Sequence, residues 1–273
     1  SVNSIVFSAN EALIASASHD CIARIWRTDT GEYVRVLKGY SCSVNSVVFS
    51  PDVALVISAA EDRKVRIWRT TSGECIQVLE GHSRSVNSIV FSANEALIAS
   101  ASLDCTAQIW RTDTGECIRV LKGHGCSVNS VVFSPDVALV ASAAEDGKVR
   151  VWRTTSGECM REVDVGAPVY NLCFSSDNAL LFTDAGAIIT NALQSPVLNA
   201  AGSGASDSSC NQNSNTSSRF GYGLSSNRSW ITYFGEDLLW LPAEFRSSCS
   251  AVSGSTVAIG CNSGKVAFFS SAN

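Results

Sequence analysis

The sequence is short of charge. Of its 273 residues only 16 % are Asp, Glu, Lys or Arg, against roughly 25 % in an average globular protein. What charge there is leans acidic, 25 Asp and Glu against 20 Lys and Arg, for a net charge of −5. A chain with no basic surplus lacks the electrostatic footprint of a nucleic-acid binder. No apolar run approaches the roughly 18 residues that a membrane-spanning helix needs, so no membrane insertion is expected. Residues 1–7, Ser-Val-Asn-Ser-Ile-Val-Phe, have neither the charged nor the apolar region of a secretion signal, and a cytoplasmic location is the expectation. No Cys-x-x-Cys occurs, which removes the commonest metal-site spacing. No Gly-x-x-x-x-Gly-Lys-Ser/Thr loop occurs either, so this chain has no place of that kind for nucleotide phosphates. Neither a metal nor a cofactor is expected. What the chain does have is apolar mass, 45 % of residues, enough to bury a core and to exclude global disorder.

The eleven cysteines are an odd number, so complete internal pairing is impossible. They recur in phase instead: Cys21 with Cys105, Cys42 with Cys126, and Cys75 with Cys117 and Cys159. A cysteine copied together with its neighbours reads as a small, reduced, half-buried residue of a repeat. The repeat itself is plain. Ser-Val-Asn-Ser begins at Ser1, Ser43, Ser85 and Ser127, each step 42 residues, and a degraded fifth start follows at Pro168-Val169-Tyr170-Asn171. Trp26, Trp68, Trp110 and Trp152 keep the same step.

Within the third unit, turn residues cut the chain into strands over 86–92, 96–102, 105–111 and 117–122. The first reads as apolar on both faces, with Val86 and Val90 on one and Ile89 and Phe91 on the other. Such sheets must be covered on both sides. A radial stack of four-stranded sheets does this, and that is a β-propeller.

Gly81-His82, Ser100, Asp104 and Ile109-Trp110 resemble the WD40 repeat, whose period is about 40–45 residues. One departure is systematic: Arg27, Arg69, Arg111 and Arg153 stand where the family's Trp-Asp signature has Asp. These arginines read as solvated strand ends rather than an anion-binding ring. The resemblance implies a structural tetrad of His, Asp, Ser and Trp. It is complete twice, on His82, Asp104, Ser100 and Trp110 and on His124, Asp146, Ser142 and Trp152. The first unit starts after the point where its Gly-His would stand, and in the second Tyr40 replaces the histidine, leaving Ser58, Asp62 and Trp68 one partner short. That should weaken the blade by about 1–3 kcal/mol where the Asp is left unpaired. Ser, His and Asp are also triad residues. Catalysis needs one exposed nucleophile rather than periodic copies, so no enzyme is expected.

Beyond the repeats, residues 169–176, 179–184 and 187–193 read as three strands of a degraded blade that spans 169–218. Residues 201–218 hold no aromatic and no aliphatic larger than Ala, which reads as a mobile loop. The Asn-x-Ser sites at Asn215 and Asn227 read as chance in a Ser-rich chain. An atypical blade follows over 219–249, with strands at 220–225, 230–234 and 238–241 and a candidate fourth at 245–249. A last blade over 250–273 has strands at 251–253, 257–261 and 265–269. The expected fold is all-β, a single WD40-type β-propeller of seven blades over 1–273, with regular repeats at 1–42, 43–84, 85–126 and 127–168 and a last blade lacking its fourth strand. That missing strand reads as a cut at the N-terminal edge of a longer protein.

The second half, with Gly221-Tyr222-Gly223-Leu224, Ser229-Trp230-Ile231-Thr232 and Ala258-Ile259-Gly260-Cys261, resembles the closing segment of WD40 arrays in fungal NACHT-WD proteins. These are NOD-like signalling receptors that include the vegetative (heterokaryon) incompatibility proteins. The SVNSVVFSPD and TTSGEC segments of the regular units resemble them too. The resemblance implies a ligand-sensing array with an NTPase domain upstream in the same polypeptide. The other class that fits is a constitutive scaffold or adaptor, such as a ubiquitin-ligase substrate receptor.

The repeats alternate. Unit one matches unit three at 35 of 42 positions, and unit two matches unit four at 30 of the 33 from Ser43 to Cys75, so the duplicated module is 84 residues. Units one and three differ at His19/Leu103, Ile22/Thr106, Arg24/Gln108, Tyr33/Cys117, Val34/Ile118, Tyr40/His124 and Ser41/Gly125. Five of the seven differences fall at the end where the second-to-third turn and the blade-to-blade linker meet, the top of the disc, or on the strand residues just below it. Drift would strike both ends. The expectation is a top face that binds a protein ligand through His19, Ile22, Arg24, Tyr40, Glu61, Arg63, Lys64, Leu103, Thr106, Gln108 and Lys148. Lys64 and Lys148 are expected to pair locally with Glu61 and Glu145.

Overall fold

Turn chemistry cuts the repeats where the sequence suggests. The hydroxyls of Ser8, Ser50, Ser92 and Ser134 each accept the N–H of a leucine five residues on, at 2.9 Å, and donate to Asn10, Asp52, Asn94 and Asp136. The next residue, Glu11, Val53, Glu95 or Val137, takes a left-handed backbone with φ between 57° and 65°. The chain then reverses.

The computed structural model describes residues 1–184, 186–190, 222–224, 230–233, 236–240, 247–253, 256–261 and 266–270. Among them there is no helix, and the strands form seven antiparallel sheets. Sheet one is β1 (Val2–Phe7), β2 (Leu13–Ser18), β3 (Ile22–Arg27) and β4 (Tyr33–Leu37). Sheet two is β5 (Val44–Phe49), β6 (Leu55–Ala60), β7 (Val65–Arg69) and β8 (Cys75–Leu79). Sheet three is β9 (Val86–Phe91), β10 (Leu97–Ser102), β11 (Thr106–Arg111) and β12 (Cys117–Lys122). Sheet four is β13 (Val128–Phe133), β14 (Leu139–Ala144), β15 (Lys148–Arg153) and β16 (Cys159–Asp164). Each is a simple meander, and the first strands pack side by side from sheet to sheet, β1 on β5, β5 on β9, β9 on β13 and β13 on the next. These are the blades of a β-propeller.

The first strand of a blade is not apolar on both faces throughout. A bulge near its start lets Val86 pair with Ser102 while Ser88 pairs with Ala101. The extra residue resets the alternation, so Val86, Ile89 and Phe91 are buried together and Val90 is only half-buried. The same bulge recurs at Val2/Ser4, Val44/Ser46 and Val128/Ser130. It also redirects an asparagine. Asn3, Asn45 and Asn87 each donate from Nδ2 to the Ser hydroxyl and the Val carbonyl that open the next blade, at 2.9–3.1 Å. Asn129 reaches the Val169 carbonyl at 3.2 Å. The Ser-Val-Asn-Ser motif is thus an inner clasp between neighbours.

The core lies between sheets rather than within one. Ala15, Ile25 and Leu37 of sheet one pack with Val47, Phe49 and Trp68 of sheet two. The same set repeats between sheets two and three and between three and four, and between four and five Ala141 and Val151 pack with Leu172, Phe174 and Leu181. Each blade therefore depends on its neighbours alone.

Among the described residues three-stranded sheets follow. The fifth is β17 (Leu172–Phe174), β18 (Leu180–Thr183) and β19 (Gly186–Ile189); the sixth is β20 (Tyr222–Leu224), β21 (Trp230–Tyr233) and β22 (Glu236–Trp240). The seventh is β23 (Ser247–Ser253), β24 (Thr256–Cys261) and β25 (Val266–Ser270). One boundary moves. Residues 247–249, expected to end the atypical blade, open the last one: Ser247 pairs with Cys261 and Cys249 with Gly260, across the bulge that marks a first strand in every regular blade. The last sheet lies against the first, with β23 and β24 on β1. The expected loop at 201–218 and the sites Asn215 and Asn227 lie outside the described residues.

Candidate functional site

The top of the disc is built by backbone bonds. In each regular blade the residue after the second strand donates to the carbonyl of the serine before the first: His19 to Ser1, Glu61 to Ser43, Leu103 to Ser85 and Glu145 to Ser127, all at 2.9 Å. The second-to-third turn and the incoming linker are thereby held at one end. At the other end Thr28, Thr70, Thr112 and Thr154 donate to Ala12, Ala54, Ala96 and Ala138, at 3.0–3.1 Å.

Below the top turns lie the tetrads. In the third blade His82 Nδ1 is 2.8 Å from Asp104 Oδ2 and its Nε2 is 2.8 Å from Ser100 Oγ, which accepts Trp110 Nε1–H at 2.8 Å. Ser100 is fully buried, so it is no nucleophile. An ionised Asp104 only accepts, hence His82 donates from Nδ1 and accepts the Ser100 hydroxyl. Burial pushes the His82 pKa down, against the pull of Asp104. Burial also opposes ionisation of Asp104, but bonds from Thr106 and His82 outweigh it and hold its carboxyl below the usual range.

The fourth blade is wired differently. Arg150 lies 2.6 Å from His124 Nδ1, and Asp146 is farther, at 3.2 Å. A guanidinium only donates, so Nδ1 accepts, and His124 donates from Nε2 to Ser142 at 2.8 Å. Burial and the Arg150 charge both push the His124 pKa down.

The second blade corrects the expectation of weakness. Tyr40 donates to Ser58 at 2.7 Å, taking the histidine's place beside the Trp68 bond. Asp62 is not left unpaired, because Arg66 meets it through both terminal nitrogens, at 3.1 and 2.7 Å. Arg66 also lies over the Tyr40 ring, 4.8 Å from its centroid, and donates to the Gly39 carbonyl. Burial opposes ionisation of Asp62, yet Arg66 outweighs it and lowers its pKa, while burial raises that of the Tyr40 hydroxyl. In the first blade Trp26 donates to Ser16 and Asp20 pairs with Arg24 at 3.1 Å.

Of the residues expected on the top face, His19, Glu61, Arg63 and Leu103 are exposed and Ile22 is half-buried. Four others serve the blade. Tyr40 and Arg24 are engaged as described, and Thr106 donates to Asp104. Gln108 is 4 % exposed and takes the Cys117 thiol, so it cannot meet a ligand. The lysine pairing also changes. Lys64 meets Glu80, the residue after β8, at 2.7 Å, and Lys148 meets Glu162 on β16, rather than Glu61 and Glu145. In the fourth blade Glu162 stands opposite Arg150 across β15 and β16 and meets both Arg150 and Lys148.

Arg27, Arg69, Arg111 and Arg153 are exposed, at strand ends. The described cysteines are free thiols. Those of Cys75, Cys117 and Cys159 lie 3.5 Å from the carbonyl two residues on.

A set of arginines went unnoticed in the sequence. Arg35 on β4 donates from Nε and Nη2 to the Thr71 carbonyl in the bottom turn of the next blade, and its stem lies on Gly73. Arg119 on β12 does the same to Thr155, over Gly157. Arg161 on β16 reaches the Ile189 carbonyl at 2.7 Å. The 42-residue step that carries the tryptophans carries these too, with Gln77 in the gap.

The WD domain, G-beta repeat family matches the chain four times, at residues 1–27, 31–69, 73–111 and 115–153, just over half its length. The chain belongs to the WD40 family. No curated protein matches it. As a WD40 domain it is a protein–protein interaction module, of a kind that is generally non-catalytic. Among the described residues no helix is long and apolar enough to cross a membrane.

Proposed function

We propose that the chain is one propeller of seven blades whose top end recognises a protein ligand without catalysing a reaction. The observation that carries this reading is the one-ended divergence between sister repeats. Copies that agree at 35 of 42 positions differ mainly at the top, while both bottom turns are unchanged. The side chains left free there, His19, Glu61, Arg63 and Leu103, differ in charge and polarity from blade to blade around one rigid frame. That separation of scaffold from specificity suits a surface whose partner varies. With the resemblance of its repeats and second half to NACHT-WD receptors, it supports a ligand-sensing array of a cytoplasmic incompatibility receptor, with the NTPase elsewhere in the polypeptide.

The test is an exchange. Leu103→His and Arg63→Gly carry top side chains between sister repeats, and Asn94→Asp exchanges a bottom-turn residue. Partners captured from extracts and then purified should change with the top exchanges and stay the same with the bottom one. The melting temperature should shift little. One fixed partner across all variants would favour the adaptor class, and a change confined to the bottom exchange would overturn the reading.

A further inference from the structure

The outer arginine ties blade one to two, three to four and four to five, but not two to three. There the position is Gln77, which is shorter and carries no charge. Its amide ends against Gly115, at the level where the Arg35 and Arg119 stems cross Gly73 and Gly157. Among the described residues nothing donates to the Asp113 carbonyl, the counterpart of the Thr71 and Thr155 carbonyls that take a guanidinium.

A groove of ≈ 660 Å³ opens at this junction. Its apolar lining is Leu55, Ile76 and Ala96, and its charged lining is Glu95, Asp113 and Arg111. The carboxylates outnumber the guanidinium. The turn residue is Asp113 here and threonine at the two junctions that Arg35 and Arg119 close, so a carboxylate appears where the cation is missing. Asp113 is exposed, and Ile76 is 43 % exposed, a large apolar side chain left open beside it.

We propose that this groove between blades two and three receives an arginine side chain of a protein partner, which fills the place the chain's own arginine takes at the sister junctions. The guanidinium donates to the Asp113 carbonyl through two nitrogens, as Arg35 does to Thr71, and pairs with the Asp113 and Glu95 carboxylates. Its stem lies on Leu55 and Ile76. A lysine cannot copy this, because an ammonium has no planar fork. The site is at the bottom and outer side of the disc, so it is separate from the proposed top face.

The test uses the whole chain and four pools of random nonapeptides, with the central residue fixed as Arg, Lys, citrulline or Ala. Binding to the Arg pool should exceed the other three about tenfold, the worth of one charge-assisted pair. Gln77→Arg, which rebuilds the internal tie, should erase that preference and melt at or above the wild-type temperature. Asp113→Lys, at an exposed turn, should erase it too and serves if the first variant fails to fold. The top-face variants Leu103→His and Arg63→Gly should keep the preference, whatever they do to the top-face partner. Equal binding of the four pools, or a preference that survives Gln77→Arg or Asp113→Lys, overturns the proposal. So does a preference lost with the top-face variants.

Discussion

His82 and His124 occupy equivalent positions and carry their protons on opposite ring nitrogens. The cause is one residue, since Arg150 stands where the third blade has Gln108. Long-range ¹⁵N–¹H correlation should show a protonated Nδ1 for His82 and a protonated Nε2 for His124, and finding the same tautomer at both would refute the assignment. A second residue-scale effect is backbone strain. Cys21, Arg63 and Cys105 sit in left-handed backbone with φ of 62°, 70° and 67°, and the fourth blade has Gly147 there, at 74°. Arg63 is exposed. Arg63→Gly should therefore raise stability by up to about 1 kcal/mol, relief of strain less the added freedom of the unfolded chain. The midpoint of urea unfolding reads this directly, and a fall would mean that the Arg63 side chain supports the turn. Gly147 was visible in the sequence, but its neighbours gave no sign that their position needs glycine, because a cysteine or arginine in a turn looks ordinary.

At the scale of the blade, the central group and the residue two before the tryptophan act together. Tyr40 works because Arg66 takes Asp62, and the fourth blade already has that arginine as Arg150. His124→Tyr should thus be tolerated. His82→Tyr should cost about 1–3 kcal/mol, since Gln108 cannot replace the histidine at Asp104, and adding Gln108→Arg should recover much of it. Thermal unfolding of the two single variants and the double variant checks this. If His124→Tyr is as harmful as His82→Tyr, the arginine is not the compensating group. The pH dependence follows from the same groups. Burial depresses both histidines, so the unfolded chain binds protons that the folded chain refuses. Their contribution is complete above the ordinary histidine value of about 6.5 and is lost as pH falls through the depressed folded values. His124→Tyr removes one such group and should flatten the loss of stability between about pH 6.5 and 5. The tetrads themselves were legible, as four residue types at fixed offsets. Their wiring was not. Tyr40 read as a defect because its remedy, Arg66, resembles any other strand residue until the sheet brings it beside Asp62.

The whole molecule is held by what passes between sheets, and there the two 84-residue modules become physical. Within each module an outer arginine joins the blades, Arg35 in the first and Arg119 in the second, and between modules the tie is absent at Gln77. The inner clasp crosses every one of these junctions: Asn3, Asn45, Asn87 and, with a single bond, Asn129. The 42-residue period announced the blades. It did not announce these ties, because an asparagine next to a bulge and an arginine on an outer strand show their purpose only against the neighbouring blade. The consequence is an unequal reliance on the clasp. Asn87→Ala removes a junction bond that Arg119 backs, whereas Asn45→Ala removes one that no arginine backs. Each loss leaves a serine hydroxyl and a carbonyl short of a donor, worth about 1–3 kcal/mol, and Asn45→Ala should lie at the upper end of that range. Adding Gln77→Arg should recover part of the loss in Asn45→Ala, because it supplies the missing outer tie. Urea unfolding of the three proteins measures it. Equal losses at Asn45 and Asn87, with no recovery on adding Gln77→Arg, would mean that the packed faces alone set the strength of the junction. In that case Val47, Phe49 and Trp68 and their counterparts, rather than the polar ties, hold the blades together.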